Sequence, residues 1–543
     1  MRLLLAVLAL LATLVAGCAD RPVATGGQAG PPPSTPAAAE TPPAGTAPAS
    51  LDLQTADLAT LQDAMARGRL TAAALTASSL DRVRAVDPGI HAVMAVDPTV
   101  RDQAAASDAR RAAGRVGPLE GIPVMVKGNT SVGPTLPTTA GSLALADSRP
   151  PEAEAVRRLR DAGAVVLGTT TMTAWAGARS SQSASGWSAT GATTGNPYDP
   201  ARTACGSSSG SAAAVAAALV PVALGTETSG SIVCPAGTNG VVGVKPGTGL
   251  VSRTGVVPYS LAQDTVGPIA RSVRDAALVL SVVAGTDPAD PSTAEADAHP
   301  VTPTVVPRPL TGVRLGVLRE DQGSSEETDA AYAAALDRLR SLGAELVEPV
   351  GLPNASRAKA AANAALTTEI AHDLGAYLRS PGVSGPRSLE ELIAFGREQA
   401  GREMPFFGQD LFEQAAATRG DVTDPRYRAA RADATSRSRA DLDTALAGVD
   451  ALVSPTNAPA WPTDLVNGDH FSVSPAGPAA TAGYPSTSVP MAMSHGMPVG
   501  LSLIGPRWSE GRLLALAAGV EEGLHARVPP PLPPATVALT TGR

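Results

Sequence analysis

The chemistry available to this chain is concentrated in one scarce residue and one crowded stretch. Of 42 basic residues only three are lysines, Lys127, Lys245 and Lys359, and the other 39 are arginines. An arginine stays protonated in essentially any protein site, whereas a buried lysine can lose its charge and act as a base. Lys127 stands in "GIPVMVKGNT" (Gly121–Thr130), directly behind a continuous apolar run that would desolvate it. The crowded stretch is "ACGSSSGSAAAVAAALVPVALGTETSGSIVCPAGTNGVVGVKPG", Ala204–Gly247, rich in serine and glycine. Its Gly/Ser turns alternate with helix and strand signals, as a linker's would not. Each turn sets hydroxyls and backbone N–H groups ahead of a helix, where anions and oxyanions are stabilised. A hydroxyl nucleophile, a base and such N–H groups are the parts of acyl transfer.

Other motifs fit poorly. "GSSSG" (Gly206–Gly210) matches the G-x-S-x-G nucleophile elbow with Ser208 as its serine, but that motif follows a strand. Here prolines at 197 and 200 precede it. "SRAK" (Ser356–Lys359) has the S-x-x-K spacing of penicillin-recognising enzymes without their accompanying S-D-N or K-T-G. The six histidines include no pair with metal-ligand spacing, which argues against zinc hydrolysis.

The elements that must position Lys127 and the serines alternate between helix and strand. Amphipathic helices are expected at 56–67 and 71–86, a strand at 91–96, and a helix at 99–113 closed by Gly114. Ile122–Val126 reads as a strand buried on both faces. Helix then strand follows at 152–162 and 164–169, and again at 210–219 and 221–227. Strands are also expected at 312–318 and 451–456. This alternation predicts an α/β sheet with helices on both faces. Residues 319–450 read as mostly helical, covering one end of the sheet rather than forming another domain.

The ends differ from the body. Arg2 and the apolar Leu3–Val15 form a signal-peptide core too short for a membrane span, and "VAGC" resembles a bacterial lipobox. Cleavage after residue 17 would leave Cys18 as the lipidated N-terminus on the outer face of the cytoplasmic membrane. Residues 18–50, rich in Pro, Ala and Gly, read as an unstructured tether, and the Pro-rich 528–543 as an unstructured tail. Residues 51–527 remain as a single domain. With 44% hydrophobic residues that domain can bury a large core. A net charge of −8 without a basic run argues against nucleic acid or anionic lipid as a partner, so membrane contact is expected through the lipid anchor alone. Cys205 and Cys234 are too few for a disulfide framework, and whether they pair is left open.

Several motifs together resemble the amidase signature family. They are "GIPVMVKGN" (Gly121–Asn129), "TTAGSLAL" (Thr138–Leu145), "CGSSSGS" (Cys205–Ser211), "ETSGSI" (Glu227–Ile232), "NGVVGVKPG" (Asn239–Gly247) and "PVGLSLIG" (Pro498–Gly505). The resemblance spans 52–524, and "GTETSGSIVCPA" with "AWPTDLVNGDHF" (Ala460–Phe471) is most similar to the bacterial peptide amidase branch. It implies a single α/β domain with a large mixed central sheet, no cofactor or metal, and hydrolysis of carboxamides, including C-terminal amides of peptides. It also implies a Ser–cis-Ser–Lys triad. By position Ser231 matches the nucleophile, Ser207 the bridging serine after a cis peptide bond, and Lys127 the base. The backbone N–H groups of Thr228, Ser229, Gly230 and Ser231 match the oxyanion hole.

Three positions depart from the family's D-T-G-G-S and K-D-N patterns: Glu227 for Asp, Ser229 for Gly, and Gly128 for Asp. The last removes a carboxylate beside Lys127. Lys245 matches a structural lysine, and Lys359 fits a solvated helix face. The competing readings are a surface-binding lipoprotein with a weakened site and a glutamyl-tRNA amidotransferase subunit.

Overall fold

The computed structural model describes residues 49–540. The expected signal sequence, the expected lipidation site Cys18 and nearly all of the expected tether lie outside the described residues. Eleven strands build the central sheet: β1 (Val93–Val96), β2 (Pro123–Lys127), β3 (Val165–Thr170), β4 (Val222–Glu227), β5 (Val242–Lys245), β6 (Thr265–Ala270), β7 (Arg314–Leu318), β8 (Glu345–Val350), β9 (Ala451–Pro455), β10 (Ser486–Ser494) and β11 (Met497–Ile504). Their order across the sheet is β8-β7-β9-β11-β10-β5-β6-β4-β2-β3-β1. β2 runs parallel to both β3 and β4, while β6 pairs antiparallel with β4 and with β5. The sheet is therefore mixed, as the family resemblance implies.

Side-chain alternation separates the two faces. Val124 and Val126 of β2, with Val222 and Leu224 of β4, enter one apolar layer with Leu58, Leu159, Leu280 and Leu514. Met125 and Ala223 point the other way, onto the helix Ser209–Ala216 and its flanking residues. Every residue of that helix is buried and small, so its backbone lies close on the sheet. Gly210 has no room for a methyl group, which would sit 2.3 Å from the Ala92 carbonyl oxygen.

The expected helices and strands lie within a few residues of their sequence-derived bounds. The helix Ala72–Ile90 runs past Val86 and through Pro88 before His91 ends it at φ 51°. The 319–450 segment is mostly helical, with loops between its helices, and also contains β8, which sequence reading missed. β8 is an edge strand carrying Glu345, Glu348 and Pro349, and it lacks a buried apolar alternation. A further apolar cluster gathers Trp175, Trp187, Tyr377, Phe407 and Phe412, five of the chain's fifteen Phe, Trp and Tyr residues. Trp175 follows the carboxyl end of β3, so this cluster flanks the end of the sheet where β2 and β4 also finish.

The tail requires a correction. Thr536–Ala538 pairs antiparallel with Ser50–Asp52, and Ala535, Val537 and Leu539 are buried. Period-two alternation of small apolar residues docks this strand, although its proline-rich flank reads as unstructured.

Candidate active site

β2 and β4 are parallel neighbours, so their carboxyl ends deliver Lys127 and the Glu227–Ser231 turn to one place, where ligand sites of α/β sheets form. Lys127 is fully buried. Its Nζ donates to Ser207 Oγ at 2.7 Å, to Thr226 Oγ1 at 2.9 Å and to the Thr226 carbonyl at 3.0 Å. Burial pushes the ammonium down to about 7, against the opposing fields of Asp264 and Glu227. A neutral amine has two N–H donors and one lone pair, so in that state one neighbouring hydroxyl must turn and donate to it.

The segment Cys205–Ser208 crosses above this lysine. Its Gly206–Ser207 peptide is cis, and Ser208 N–H donates to the Ser231 carbonyl at 3.2 Å, joining the two serine segments. Ser208 is buried, and its hydroxyl donates to the Thr226 carbonyl, which explains why it cannot serve as an elbow nucleophile. A disulfide between Cys205 and Cys234 ties the same segments from the far side. Sequence reading left this pairing open, because only the fold brings the cysteines together. Replacing both by alanine is expected to cost about 2–4 kcal/mol of stability, read as a lower Tm. An unchanged Tm would show that the bridge contributes nothing.

Glu227 shapes the turn before Ser231. Its buried carboxylate accepts N–H bonds from Gly230 at 2.8 Å, Ile232 at 2.7 Å and Val233 at 3.0 Å. Gly230 sits at φ +88°, a conformation that favours glycine. This bonding corrects the expected oxyanion set. The Gly230 N–H is spent on Glu227, and Gly230 does not line the adjoining cavity, whereas Thr228, Ser229 and Ser231 do. That cavity holds about 350 Å³ and also receives Ser207 and Tyr259. Ser231 is 9% exposed, and its hydroxyl makes no hydrogen bond among the described residues. The structure thus brings Lys127, Ser207 and Ser231 into one site.

Gly128 has a steric explanation. A Cβ there would lie 2.8 Å from Met94 Cε, 2.9 Å from its Sδ and 3.0 Å from the Thr170 carbonyl oxygen. Met94 fills the space that an aspartate side chain would need. Gly128→Asp is expected to cost about 1–3 kcal/mol through overpacking, with Met94→Ala restoring part of it. The added carboxylate would also raise the Lys127 pKa, moving the acid limb of the kcat/KM profile to higher pH. An unmoved limb in a folded variant would refute that electrostatic part.

Lys245 is likewise fully buried, donating to the Pro246 carbonyl with its pKa lowered to about 8 by burial, while Lys359 is exposed. Lysine scarcity therefore marked two of the largest fully buried side chains among the described residues, together with one solvated residue. Sequence reading missed Asp264. This carboxylate accepts from Thr228 Oγ1 at 2.5 Å, Tyr259 N–H at 2.7 Å and Ser260 N–H at 2.9 Å, and burial raises its pKa to about 6. An acidic residue immediately before the buried β6 was the available signal.

This mixed sheet, with a buried lysine and two serines at one end of its parallel strands, defines an α/β enzyme that hydrolyses amide C–N bonds. The chain belongs to the Amidase family, whose profile matches residues 74–514. It is 40% identical to a glutamyl-tRNA(Gln) amidotransferase subunit of Salinispora arenicola, covering 89% of this chain and all of that one. It is 35% identical to a probable amidase of Arabidopsis thaliana, over 89% of this chain and 92% of the plant protein. The native peptide amidase of Stenotrophomonas maltophilia superposes with a TM-score of 0.83 at 45% identity, covering 88% of this chain and 98% of that one.

Proposed function

We propose that this enzyme hydrolyses C-terminal carboxamides of peptides through a Ser231–Ser207–Lys127 relay. The carrying observation is the 2.7 Å bond from a fully buried Lys127 to Ser207, beside a cavity that also holds the unbonded Ser231 hydroxyl. Neutral Lys127 draws the proton of Ser207 as Ser207 takes that of Ser231. The contact between the serines tightens when substrate arrives, as catalytic hydrogen bonds often do. Ser231 Oγ attacks the carbonyl carbon, and the developing oxyanion is met by N–H groups of Thr228, Ser229 and Ser231. The proton returns through Ser207 to the departing nitrogen, which leaves as ammonia. Water, activated by the same relay, then cleaves the acyl-enzyme to the acid.

The likeness to peptide amidase supports peptide amides as substrates. The amidotransferase relatives favour a second reading, amidation of glutamyl-tRNA. A net charge of −8 opposes it, because RNA binding draws on basic surface. Ammonia release from acetylated peptide amides by the purified protein tests the proposal. No release from any such amide, alongside transamidation of glutamyl-tRNA, would overturn it. We also propose export and lipidation at Cys18, a reading supported by the disulfide, since such bonds persist in oxidising compartments. Radioactive fatty acid should label the protein and fail to label Cys18→Ala.

A further inference from the structure

The cavity beside Ser231 is walled mainly by neutral groups. Small hydroxyl and backbone groups line one side, with Leu366 and Phe471 supplying apolar surface. No arginine, lysine or histidine side chain lines it among the described residues, and its one carboxylate is Asp469. Asp469 is held from behind: Ser185 N–H donates to Oδ1 at 3.1 Å and Ser185 Oγ to Oδ2 at 2.7 Å. The Trp461 indole is a weaker neighbour. The adjacent His470 hydrogen-bonds to Asp464, at 3.2 Å, and acts on Asp469 only through its field. Asp469 makes no ion pair among the described residues, although burial disfavours its charged form and raises its pKa.

Its place is close to the reacting groups. A methyl group built on Gly206, the residue before Ser207, would lie 2.8 Å from the Ser185 hydroxyl that holds Asp469. Phe471, two residues further on, is 51% exposed and braced edge-on by Trp461 at 4.9 Å. A fixed carboxylate with no ion-pair partner among the described residues, beside an exposed aromatic ring, suits a positive nitrogen carried on an aliphatic stem.

We propose that Asp469 is a specificity-determining residue that receives a cationic nitrogen on the acyl half of the substrate and turns away acyl groups bearing a carboxylate. This rests on the reading of the substrate as a primary carboxamide attacked by Ser231, because ammonia is then the leaving group and any recognised charge belongs to the acyl half. The cation is either the free α-ammonium of an amino-acid amide or the side chain of a C-terminal lysine or arginine amide. The carboxylate would attract either one and repel an acidic acyl group by like charge.

The experiment compares kcat/KM of the wild type and Asp469→Asn for four amides. Leucinamide carries the α-ammonium, acetyl-argininamide the side-chain cation, acetyl-leucinamide neither, and the α-amide of acetylglutamate an anion. Asparagine keeps the shape and an acceptor for Ser185. The variant should lose about tenfold on one cationic substrate, as expected for a charge-assisted contact, gain on the glutamate amide, and stay within about twofold on acetyl-leucinamide. Which cationic arm falls identifies the source of the nitrogen. Equal changes on all four substrates would overturn the proposal. Binding of the same amides to Ser231→Ala, with and without Asp469→Asn, separates the two readings. If the wild type releases no ammonia but Asp469→Asn weakens binding of a cationic amide about tenfold, the catalytic reading alone fails. If binding is unchanged by Asp469→Asn, the specificity reading fails.

Discussion

Lys127→Arg is expected to yield a folded enzyme whose amide hydrolysis falls by about 10⁴-fold or more, nearly as far as Lys127→Ala. The reason lies in the protonation state. The fully buried amine titrates at about 7, so near neutral pH a large share is neutral and able to take a proton. A guanidinium in the same place stays charged and has no lone pair to offer. The pH dependence follows with a definite sign. Below about 7 the lysine is protonated, and kcat/KM of the wild type should fall tenfold per pH unit. Above 7 it should level off. Stability depends on the same group, in a higher pH window. The folded pKa lies below the unfolded value of 10.5, so the unfolded chain binds the extra proton between about 7 and 10.5. The penalty from this group is therefore complete below about 7 and fades as the pH rises towards 10.5. Lys127→Met should consequently raise the Tm at pH 7 while abolishing turnover. A Lys127→Arg enzyme with wild-type kcat/KM would end the neutral-base mechanism.

What the sequence revealed and what it hid divide along the range of the interactions. β2 was legible because Ile122–Val126 form an unbroken buried apolar run, and Lys127, the last residue of the strand, comes directly after it. The serines were legible from the Gly/Ser turns and their motif resemblance. The spent N–H of Gly230 was not, because the same residues allow the Glu227 carboxylate to turn outward or fold back over its own turn. The pairing of Cys205 with Cys234 needed a helix to come round beside a loop. Asp264 and Asp469 reach the site from distant segments; an acidic residue just before a buried strand is the one local sign of Asp264, and nothing local marks Asp469 as facing a cavity. Gly128 stood out as a departure from pattern. Its cause lies on another strand, in Met94, and no inspection of residues 121–130 could supply it.

Ser231→Ala should reduce turnover as severely as any single change, by about 10⁴–10⁶-fold, with no loss of stability. The Ser231 hydroxyl makes no hydrogen bond among the described residues, so alanine removes a reactive atom without orphaning a partner there. Ser207→Ala makes a useful contrast. It takes away one oxygen facing Lys127 but leaves the amine held by both Thr226 oxygens, so the base stays in place without its bridge. Its loss should be large yet smaller than that of Ser231→Ala, since water can occupy the vacated space and carry the proton. Combining the two should cost little more than Ser231→Ala alone, because residues that act as a unit are strongly non-additive. The covalent intermediate gives an independent measurement. A slowly deacylated amide should add its acyl mass to the peptide containing Ser231 in the wild type, and add nothing in Ser231→Ala. Acylation found instead on Ser207 would exchange the roles of the two serines while keeping Lys127 as their base.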